Sequence, residues 1–311
     1  LGAGETKIVS GAYRDDTQGS FSGAVYVYDA DGTNEVKITS SDLQSGDLFA
    51  YAVETNGSKI FVGAPSDDNA NGDNAGAVYI YDMDGTNEVK VTPSTATTGT
   101  KAGQKLACSA NKFAVGCWSP GKVWVYDADG TNELEITTPA IRMTIALTDD
   151  ILFLGDSNLN VIYSYSTTTG NLISSVSPSD QDASTDLDFG RGIEVYGSKL
   201  VASTRMTDAV YVYDLDLTNE LKITPTQKQS SYNYNSQRFG TEVAISSNKI
   251  AVTSGINDDG EVYLYDLDGS NEIRITAETS ILNNLSNSGF AKSVSLSEDK
   301  LIVGNQFYNG N

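Results

Sequence analysis

A twelve-residue pattern recurs along the chain, and it constrains the fold more than any other feature of the sequence. Its first copy is "YDADGTNEVKIT" from Tyr28, in which an acidic turn follows a segment of Val and Tyr residues. Further copies start at Tyr81, Tyr126, Tyr213 and Tyr265, and a degraded copy, "YSTTTGNLISSV", starts at Tyr165. The copies recur every ~47 residues, which is the length of a four-stranded repeat unit.

Each repeat contains four short segments with the composition of β-strands, which we name A to D. In the second repeat they are "FAYAV" from Phe49, "KIFVG" from Lys59, "GAVYIYD" from Gly76 and "NEVKVT" from Asn87. Val, Ile and Tyr dominate these segments, Gly, Asn, Asp and Ser bound them, and no segment has a helical period. Strand C is apolar on both faces, as expected of blades stacked around an axis. We therefore predict an all-β fold, a β-propeller of four-stranded blades.

The number of blades is left open by the strand count. Strand B patterns of the "KIxVG" type occur seven times, whereas C–D hairpins occur six times. We prefer seven blades, with six as the alternative, closed by a C-terminal strand A that joins the N-terminal strands B, C and D. Either count predicts that residues 1–311 form a single propeller domain. The first residue is Leu, which indicates a piece excised from a longer chain.

The charge balance limits both partners and chemistry. The chain has 41 acidic and 20 basic residues, no histidine and a formal net charge of −21. Because such a surface repels nucleic acid and acidic membranes, we expect no nucleic-acid partner. The apolar runs are only a few residues long, so we expect neither membrane insertion nor a signal peptide. Without histidine, a Ser-His triad or a His-ligated metal cannot be built, and we expect no catalytic residues.

Short motifs at the predicted start of strand A and in and after strand B are similar to those of a known family. They are Phe189-Gly190, Phe239-Gly240 and the "VGAP" segment 62–65, which is followed by "GAVYIYD". In these motifs and in the repeats that span the chain, the sequence resembles the FG-GAP repeats of integrin-α-like propellers. The resemblance implies a seven-bladed extracellular propeller used for adhesion and ligand binding. One strand A departs from the motif, with Phe49-Ala50 in place of Phe-Gly.

The acidic turn allows a structural and a metal-binding interpretation. Its Asp-Gly pair supplies the left-handed residue of a tight C–D hairpin, and Asp29 or Asn34 can bond the local backbone. Together with Asp31 and Glu35, these residues are also oxygen donors that suit Ca²⁺. However, the bidentate Glu at position 12 of an EF-hand loop is absent. We predict a structural turn, with weak Ca²⁺ binding as the alternative and no other cofactor or metal site.

Two further patterns favour packing over chemistry. With a two-residue A–B turn at 110–111, Cys108 faces Phe113, and Cys117 lies four residues further along the partner strand. That places the two cysteines ~13 Å apart, too far for a disulfide, and predicts two free thiols. The tyrosines repeated in strand C could form a sugar-binding platform if exposed. Their fixed place in the strand instead predicts that they pack within and between blades.

The strand order assigns loops to two ends of each blade. A–B and C–D turns share one end, the bottom, and they are nearly uniform between repeats. B–C and D–A loops share the other end, the top, and they differ between repeats. Because binding residues tend to lie on loops held by a rigid scaffold, we place the candidate ligand-binding residues on the top loops. They are Asp67, Asp68, Trp118, Arg205, Tyr232, Tyr234, Asp258 and Asp259.

Together these features favour a non-enzymatic recognition or adhesion module. Its expected partner is a glycan or protein on a cell surface, and its expected location is an extracellular appendage or the fibre of a virus or phage. A first alternative is a structural module that packs against neighbouring copies in an assembly. A second is a carbohydrate-active propeller enzyme, which would need paired carboxylates in one pocket. The acidic residues here belong mostly to the repeated turns.

Overall fold

Every secondary-structure element that the structure describes is a β-strand. The computed structural model describes residues 2–3, 7–117, 121–140, 143–180, 188–204, 206–226, 239–254, 260–276, 290–297 and 300–305. Within these ranges there is no helix. Accordingly, no helix in the described ranges has the length and apolarity needed to cross a bilayer.

The strands follow one another in chain order through six four-stranded sheets and one two-stranded sheet. The first three sheets are β1 (Gly2–Ala3), β2 (Lys7–Ala12), β3 (Ala24–Asp29) and β4 (Val36–Ile38); β5 (Ala52–Thr55), β6 (Lys59–Ala64), β7 (Ala77–Asp82) and β8 (Val89–Val91); and β9 (Lys105–Cys108), β10 (Lys112–Gly116), β11 (Lys122–Asp127) and β12 (Leu134–Thr137). The next three are β13 (Met143–Leu147), β14 (Ile151–Asp156), β15 (Val161–Ser166) and β16 (Leu172–Val176); β17 (Ile193–Tyr196), β18 (Lys199–Thr204), β19 (Ala209–Asp214) and β20 (Leu221–Ile223); and β21 (Val243–Ile245), β22 (Lys249–Ser254), β23 (Glu261–Asp266) and β24 (Ile273–Thr276). The last sheet is β25 (Phe290–Leu296) with β26 (Leu301–Asn305).

The predicted propeller of four-stranded blades is confirmed. Six sheets have the strand order A-B-C-D and lie in a propeller arrangement, so the described residues contain six four-stranded blades. The pair β25–β26 corresponds to strands A and B of a seventh repeat. Among the described residues, β25 pairs with β26, and β1 pairs with β2 in the first sheet.

The chain divides into two compact units. One comprises Leu1–Phe153 with Ser164–Ile173, and the other comprises Leu154–Tyr163 with Ser174–Asn311. The first unit holds the first three sheets, and the second holds the last two four-stranded sheets with β25–β26. That residues 1–311 form a single domain stays a prediction.

The Phe-Gly motif lies before strand A and not at its start. Strand β5 begins at Ala52, three residues after Phe49. The cause is the backbone of the second motif residue, which is left-handed at Gly190 (φ 79°), Gly240 (φ 90°) and Ala50 (φ 65°). A strand requires a negative φ, so it can start only after this residue.

The phenylalanine of the motif packs on the tyrosines of strand C. Phe49 is fully buried, and its ring centre lies 5.4 Å from that of Tyr79 and 6.3 Å from that of Tyr81, in edge-on geometry. The same arrangement recurs for Phe189 with Tyr211 and Tyr213 and for Phe239 with Tyr263 and Tyr265. Edge-on pairs add ~1 kcal/mol each beyond burial. The prediction that strand C tyrosines pack in the blades is confirmed in these repeats, whereas Tyr26 and Tyr28 of the first repeat are only half-buried.

The glycines ahead of strand A and near the end of strand B meet backbone to backbone. A Cβ atom on Gly103 would lie 3.1 Å from the Gly63 Cα and 2.6 Å from the Ala77 oxygen. Likewise, a Cβ on Gly190 would lie 3.0 Å from the Gly155 Cα. The two glycine motifs of the sequence are therefore two sides of one close contact between neighbouring blades.

The cysteine register follows the prediction. Cys108 of β9 pairs with Phe113 of β10, and Ser109 N donates to the Lys112 oxygen at 2.8 Å across the turn. The two cysteines form no disulfide bond with a described residue. Burial raises the pKa of Cys108 well above its ordinary value.

Candidate functional site

The polar side chains of the acidic hairpin are bonded within the blade. In the first copy, Asp29 accepts from Lys7 Nζ at 2.6 Å and from Asn34 Nδ2 at 2.5 Å. Asp31 accepts from the backbone and hydroxyl of Thr33 at 3.0 and 2.6 Å. The bonds from Lys7 and Asn34, of which that from Lys7 has the larger effect, hold the pKa of Asp29 below its usual range. Equivalent pairs with strand B lysines form at Asp82, Asp127, Asp214 and Asp266.

The glutamate of the hairpin links neighbouring repeats. Glu88 accepts from the Tyr81 hydroxyl at 2.9 Å and from the Ser41 backbone N–H and hydroxyl at 3.0 and 2.6 Å. The same link joins Glu133 to Ser94, Glu220 to Ser179 and Glu272 to Thr226. The oxygen donors considered for Ca²⁺ thus bond different partners, and no group of three or more acidic or thiol side chains among the described residues is arranged to hold a metal ion. Weak Ca²⁺ binding stays a hypothesis.

Two top loops share most of their backbone hydrogen bonds and differ in length by one residue. The first loop is the B–C segment 12–23, and the second loop is the B–C segment 64–76. In the first, Ser20 O accepts from Gly46 N at 2.9 Å, and in the second, Asp73 O accepts from Gly99 N at 2.9 Å. In both of these repeats the B–C loop is hydrogen-bonded to the D–A loop that follows it, as the assignment of both loops to one end of the blade predicts.

Asp67 and Asp68 are the predicted site residues that the structure describes. Asp67 is 2 % exposed and accepts from the Tyr79 hydroxyl at 2.7 Å and from Lys90 Nζ at 2.8 Å. Asp68 is exposed, and its Oδ1 accepts from the Asn74 N–H at 2.6 Å. Both carboxylates hold the second loop in shape, and their role in ligand binding stays a prediction.

The other six predicted site residues belong to other top loops. Trp118, Arg205, Tyr232, Tyr234, Asp258 and Asp259 lie outside the described residues. Each stays a prediction.

The first loop carries an exposed group of side chains that sequence reasoning missed. This aromatic–arginine cluster consists of Tyr13, Arg14 and Phe21, with Tyr51 from the following D–A loop. The ring centres of Tyr13 and Tyr51 lie 5.4 Å apart, and Arg14 Cζ lies 5.3 Å from the Tyr13 centre and 5.8 Å from the Phe21 centre. Phe21 and Tyr51 are each 45 % exposed. Such contacts hold the guanidinium in place while leaving its donors open to solvent.

Arg14 is also unusual in its charge environment. In a chain with 41 acidic residues, its guanidinium makes no ion pair with a described residue. The neighbouring acids are engaged elsewhere, because Asp15 bonds Lys37 and Tyr26, and Asp16 bonds the Phe21 N–H. The bond from Lys37 is the main reason that the pKa of Asp15 is far below its usual range. The loop therefore presents one exposed cation between two aromatic rings.

Phe21 has a backbone conformation that a bulky side chain rarely adopts. Its φ is 54°, and it is held there by a bond from its N–H to Asp16 Oδ1 at 2.7 Å and by a bond from Leu48 N to its oxygen at 3.2 Å. Left-handed backbone costs a residue of this kind ~1–2 kcal/mol. Burial does not offset that cost, since the ring is 45 % exposed. Strain kept at an exposed aromatic residue is a signal of function.

The second loop lacks the cluster although it shares most of the backbone hydrogen bonds. The positions of Arg14, Phe21 and Tyr51 hold Ser66, Asn74 and Gln104. Asn74 has a φ of 51°, which asparagine tolerates better than phenylalanine. Aligning "AYRDDTQGSFSG" with "APSDDNANGDNAG" on their Asp-Asp pairs and final glycines would have exposed this difference from sequence alone.

A buried acid lies in the D–A loop that pairs with the first loop. Asp47 is 5 % exposed, and its Oδ2 accepts from the Gln44 N–H at 2.7 Å. Burial raises its pKa to about 6. At the equivalent place of the next repeat, Thr100 Oγ1 accepts from the Thr97 N–H at 2.9 Å. Both D–A loops therefore contain a hydrogen bond from a backbone N–H to a side-chain oxygen three residues later. The acceptor is a carboxylate in the first repeat and a hydroxyl in the second.

The blades and their loops make this chain a β-propeller, and comparisons with known proteins agree. Residues 33–81 match the model of the FG-GAP repeat family. That segment contains the motif at Phe49 and the second loop, so the resemblance seen in the sequence is confirmed there. No curated protein has a sequence that matches this chain significantly.

Several solved structures share the fold. A chain of a mitotic checkpoint complex is 15% identical with a TM-score of 0.66, and the match covers 98% of this chain and 82% of that one. A streptogramin B lyase is 12% identical with a TM-score of 0.61, covering 96% and 99%. The β-propeller domain of Myceliophteria thermophila Cps50 (Swd1) is 12% identical with a TM-score of 0.56, covering 89% and 88%. At such low identities the likeness shows the fold alone.

Proposed function

We propose that this chain is a non-enzymatic recognition module that binds a glycan through the aromatic–arginine cluster of its first loop. The observation that carries the proposal is the exposed Phe21, held in a strained backbone beside Arg14 and Tyr51. A propeller serves as a generic binding scaffold, and the top loops are where it varies.

The chemistry of the cluster suits a sugar. The exposed rings of Phe21 and Tyr51 offer flat apolar faces against which the C–H face of a pyranose can stack. The Arg14 guanidinium carries five donors in a planar fork, which can bond sugar hydroxyls or a sugar carboxylate. Aromatic residues and arginine are also the usual anchors of binding sites.

The location that we propose is extracellular, on a cell-surface appendage or on a virus or phage fibre. FG-GAP repeats are typical of extracellular proteins, which supports the first part of this proposal. The proposal assigns no cofactor and no catalytic residue to the chain. The candidate residues on the other top loops could extend the glycan site, and they are tested by the same assay.

A glycan array with loop-transplant variants tests the proposal. We expect the wild-type chain to bind a defined glycan. Arg14→Ser, Phe21→Asn and Tyr51→Gln each copy the second loop, and each should weaken binding by about tenfold or more, since anchors cost ~2 kcal/mol when removed. Melting curves should stay close to that of the wild type, because none of the three side chains is in the core.

The matched control changes the second loop instead. Asp73→Ser copies Ser20 of the first loop and should leave both binding and stability unchanged. If a glycan binds the three variants as well as it binds the wild type, the cluster is not the site. If no glycan binds and a protein ligand requires the same three residues, the site stands and the ligand class is wrong.

A further inference from the structure

The first loop has one positive charge that a ligand can reach. Arg14 is the only basic residue in segment 12–23, and it is exposed. Among the described residues, no ion-pair or hydrogen-bond partner of its guanidinium is found. Lys37, which reaches the same loop from strand β4, is engaged with Asp15 at 2.8 Å and with the Thr17 hydroxyl at 2.7 Å. The charge of Arg14 is therefore the one left for a ligand at this loop.

Two acids follow Arg14 in the chain, and both are used to shape the loop. Asp15 accepts from the Thr17 N–H at 2.9 Å, and Asp16 accepts from the Phe21 N–H at 2.7 Å. The second loop has the same Asp-Asp pair, which also makes hydrogen bonds within its repeat. The pair thus serves the hydrogen bonding that both repeats share. A ligand anion competes with no described acid for the guanidinium.

The aromatic rings of the cluster do not suit a cationic ligand. The faces of such rings attract positive charge. Arg14 Cζ already lies over the rings of Tyr13 and Phe21, at 5.3 and 5.8 Å from their centres. A ligand amine on these rings would therefore meet a positive charge at short range. The cluster favours a ligand with an apolar face and a negative charge.

We propose that the glycan bound by the first loop is acidic, with a single carboxylate on the sugar that contacts the cluster. The proposal rests on the proposed function and names its ligand class. The planar guanidinium of Arg14 matches the two oxygens of a carboxylate, and the paired charge-assisted bonds are stronger than bonds to neutral hydroxyls. The exposed rings of Phe21 and Tyr51 would take the C–H face of the same sugar.

The charge of the whole chain limits how acidic the glycan can be. A net charge of −21 repels anions, and the repulsion grows with the number of charges on the ligand. One guanidinium offsets one such charge. A sugar with one carboxylate, such as a uronic acid, therefore fits the site better than a glycan with many sulfate groups.

An array that holds each carboxylated glycan beside its methyl ester tests the proposal. The ester keeps the ring and the hydroxyls and removes only the charge. The wild-type chain should bind the free acid at least about tenfold more tightly than the ester, since hydrogen bonds to a charged group are the stronger ones. Arg14→Gln should weaken binding of the acid by about the same factor and leave binding of the ester nearly unchanged.

The matched control removes the same charge from the second repeat. Lys101 is exposed in the D–A loop there, and Lys101→Gln should keep the full preference for the acid. Arg14→Lys keeps the charge and loses the planar fork, so its preference should lie between those of the wild type and Arg14→Gln. Circular dichroism and melting curves should be alike for the wild type and the three variants.

Each other outcome overturns the proposal in its own way. If acid and ester bind the wild type equally, and binding still requires Phe21 and Tyr51, the glycan site stands and the acidic ligand is wrong. If Arg14→Gln weakens acid and ester alike, Arg14 only supports the rings. Equal loss of preference in Arg14→Gln and Lys101→Gln would mean that net charge sets the preference. Tighter binding of multiply sulfated glycans would contradict the single carboxylate, and absence of any glycan binding would overturn both proposals.

Discussion

The first and second loops share most of their backbone hydrogen bonds, although the second is one residue longer, and they display different side chains. In both, the paired D–A loop donates three hydrogen bonds to the B–C loop, from Gly46, Leu48 and Phe49 in one repeat and from Gly99, Lys101 and Ala102 in the next. Both place a left-handed residue in the middle, Phe21 or Asn74, and a glycine at the end, Gly23 or Gly76. Only the first displays rings and a cation to solvent.

This difference shows which residues form the loop and which are free to acquire a function. The Asp-Asp pair and the final glycine are common to both loops, and they make the internal bonds or allow the close approach that shape the backbone. Arg14 and Tyr51 have no such role, because the second repeat has the uncharged Ser66 in place of Arg14 and Gln104, which has no ring, in place of Tyr51. A fixed backbone with variable display is the arrangement used by binding loops on rigid scaffolds.

The largest expected effect comes from the residue that both loops share. Gly76 has a φ of 84°, and a Cβ there would clash with the backbone of Ala102; Gly23 has a φ of 93° and would clash with Phe49. Gly76→Ala and Gly23→Ala should each lower the free energy of unfolding by ~3 kcal/mol or more, since the chain must move or remain strained. Urea unfolding curves provide the measurement.

A hairpin glycine supplies the control for this prediction. Gly32 has a φ of 82°, but a Cβ there meets no atom within 4 Å. Gly32→Ala should therefore cost only ~1 kcal/mol, from the left-handed backbone alone. Equal costs at Gly32 and Gly76 would show that the loop backbone is not fixed by this close approach.

An effect of intermediate size is expected from Asp47, and its pH dependence tests the comparison between the two D–A loops. The pKa of Asp47 in the folded protein is about 6, above the ordinary value of 3.8, because the carboxyl is buried. Between these pH values the folded state binds the proton more tightly than the unfolded state, so Asp47 lowers stability as the pH rises through this window. Asp47→Thr copies Thr100 of the next repeat. At pH 7 the variant should be more stable than the wild type by ~2 kcal/mol.

Melting temperatures of the two proteins across the acid range provide the measurement for Asp47. The advantage of the variant should shrink as the pH falls from 6 toward 3.8, because the wild-type carboxyl is then protonated and neutral. Thr100→Ser keeps the hydroxyl at the equivalent position and should change neither the stability nor its pH dependence. Parallel curves for wild type and Asp47→Thr would contradict the assignment.

Much of the fold could be predicted because the residues within each repeat determine the local structure of that repeat. The strand order, the C–D hairpin and the pairing of Cys108 with Phe113 all follow from turn residues and from the apolar pattern of single segments. The predicted start of strand A at the Phe-Gly motif is wrong because the residue after Phe is left-handed, and at Phe49 that residue is an alanine, which gives no local signal for such a backbone.

The candidate site could not be predicted in the same way. The contacts of Arg14 with Phe21 and Tyr13 join side chains that the second repeat lacks, so the pattern common to the repeats does not predict them. The shared period also directs attention to what the copies have in common, whereas Arg14 and Phe21 differ from their counterparts Ser66 and Asn74. Departures from a repeat are therefore as informative for function as the repeat is for fold.

The smallest effect comes from exchanging the middle residues of the two loops. Phe21→Asn should relieve left-handed strain and raise the free energy of unfolding by ~1 kcal/mol, and Asn74→Phe should lower it by a similar amount. The contact of Arg14 with the Phe21 ring is worth ~0.5–1 kcal/mol and would mask the first gain, so both changes are made in an Arg14→Ser background. Opposite shifts of the urea midpoints are expected, while Asn74→Phe should add no glycan binding, since Ser66 and Gln104 provide neither cation nor ring. Shifts of the same sign would mean that the two φ values do not control stability at these positions, and the strain at Phe21 would then be no sign of function.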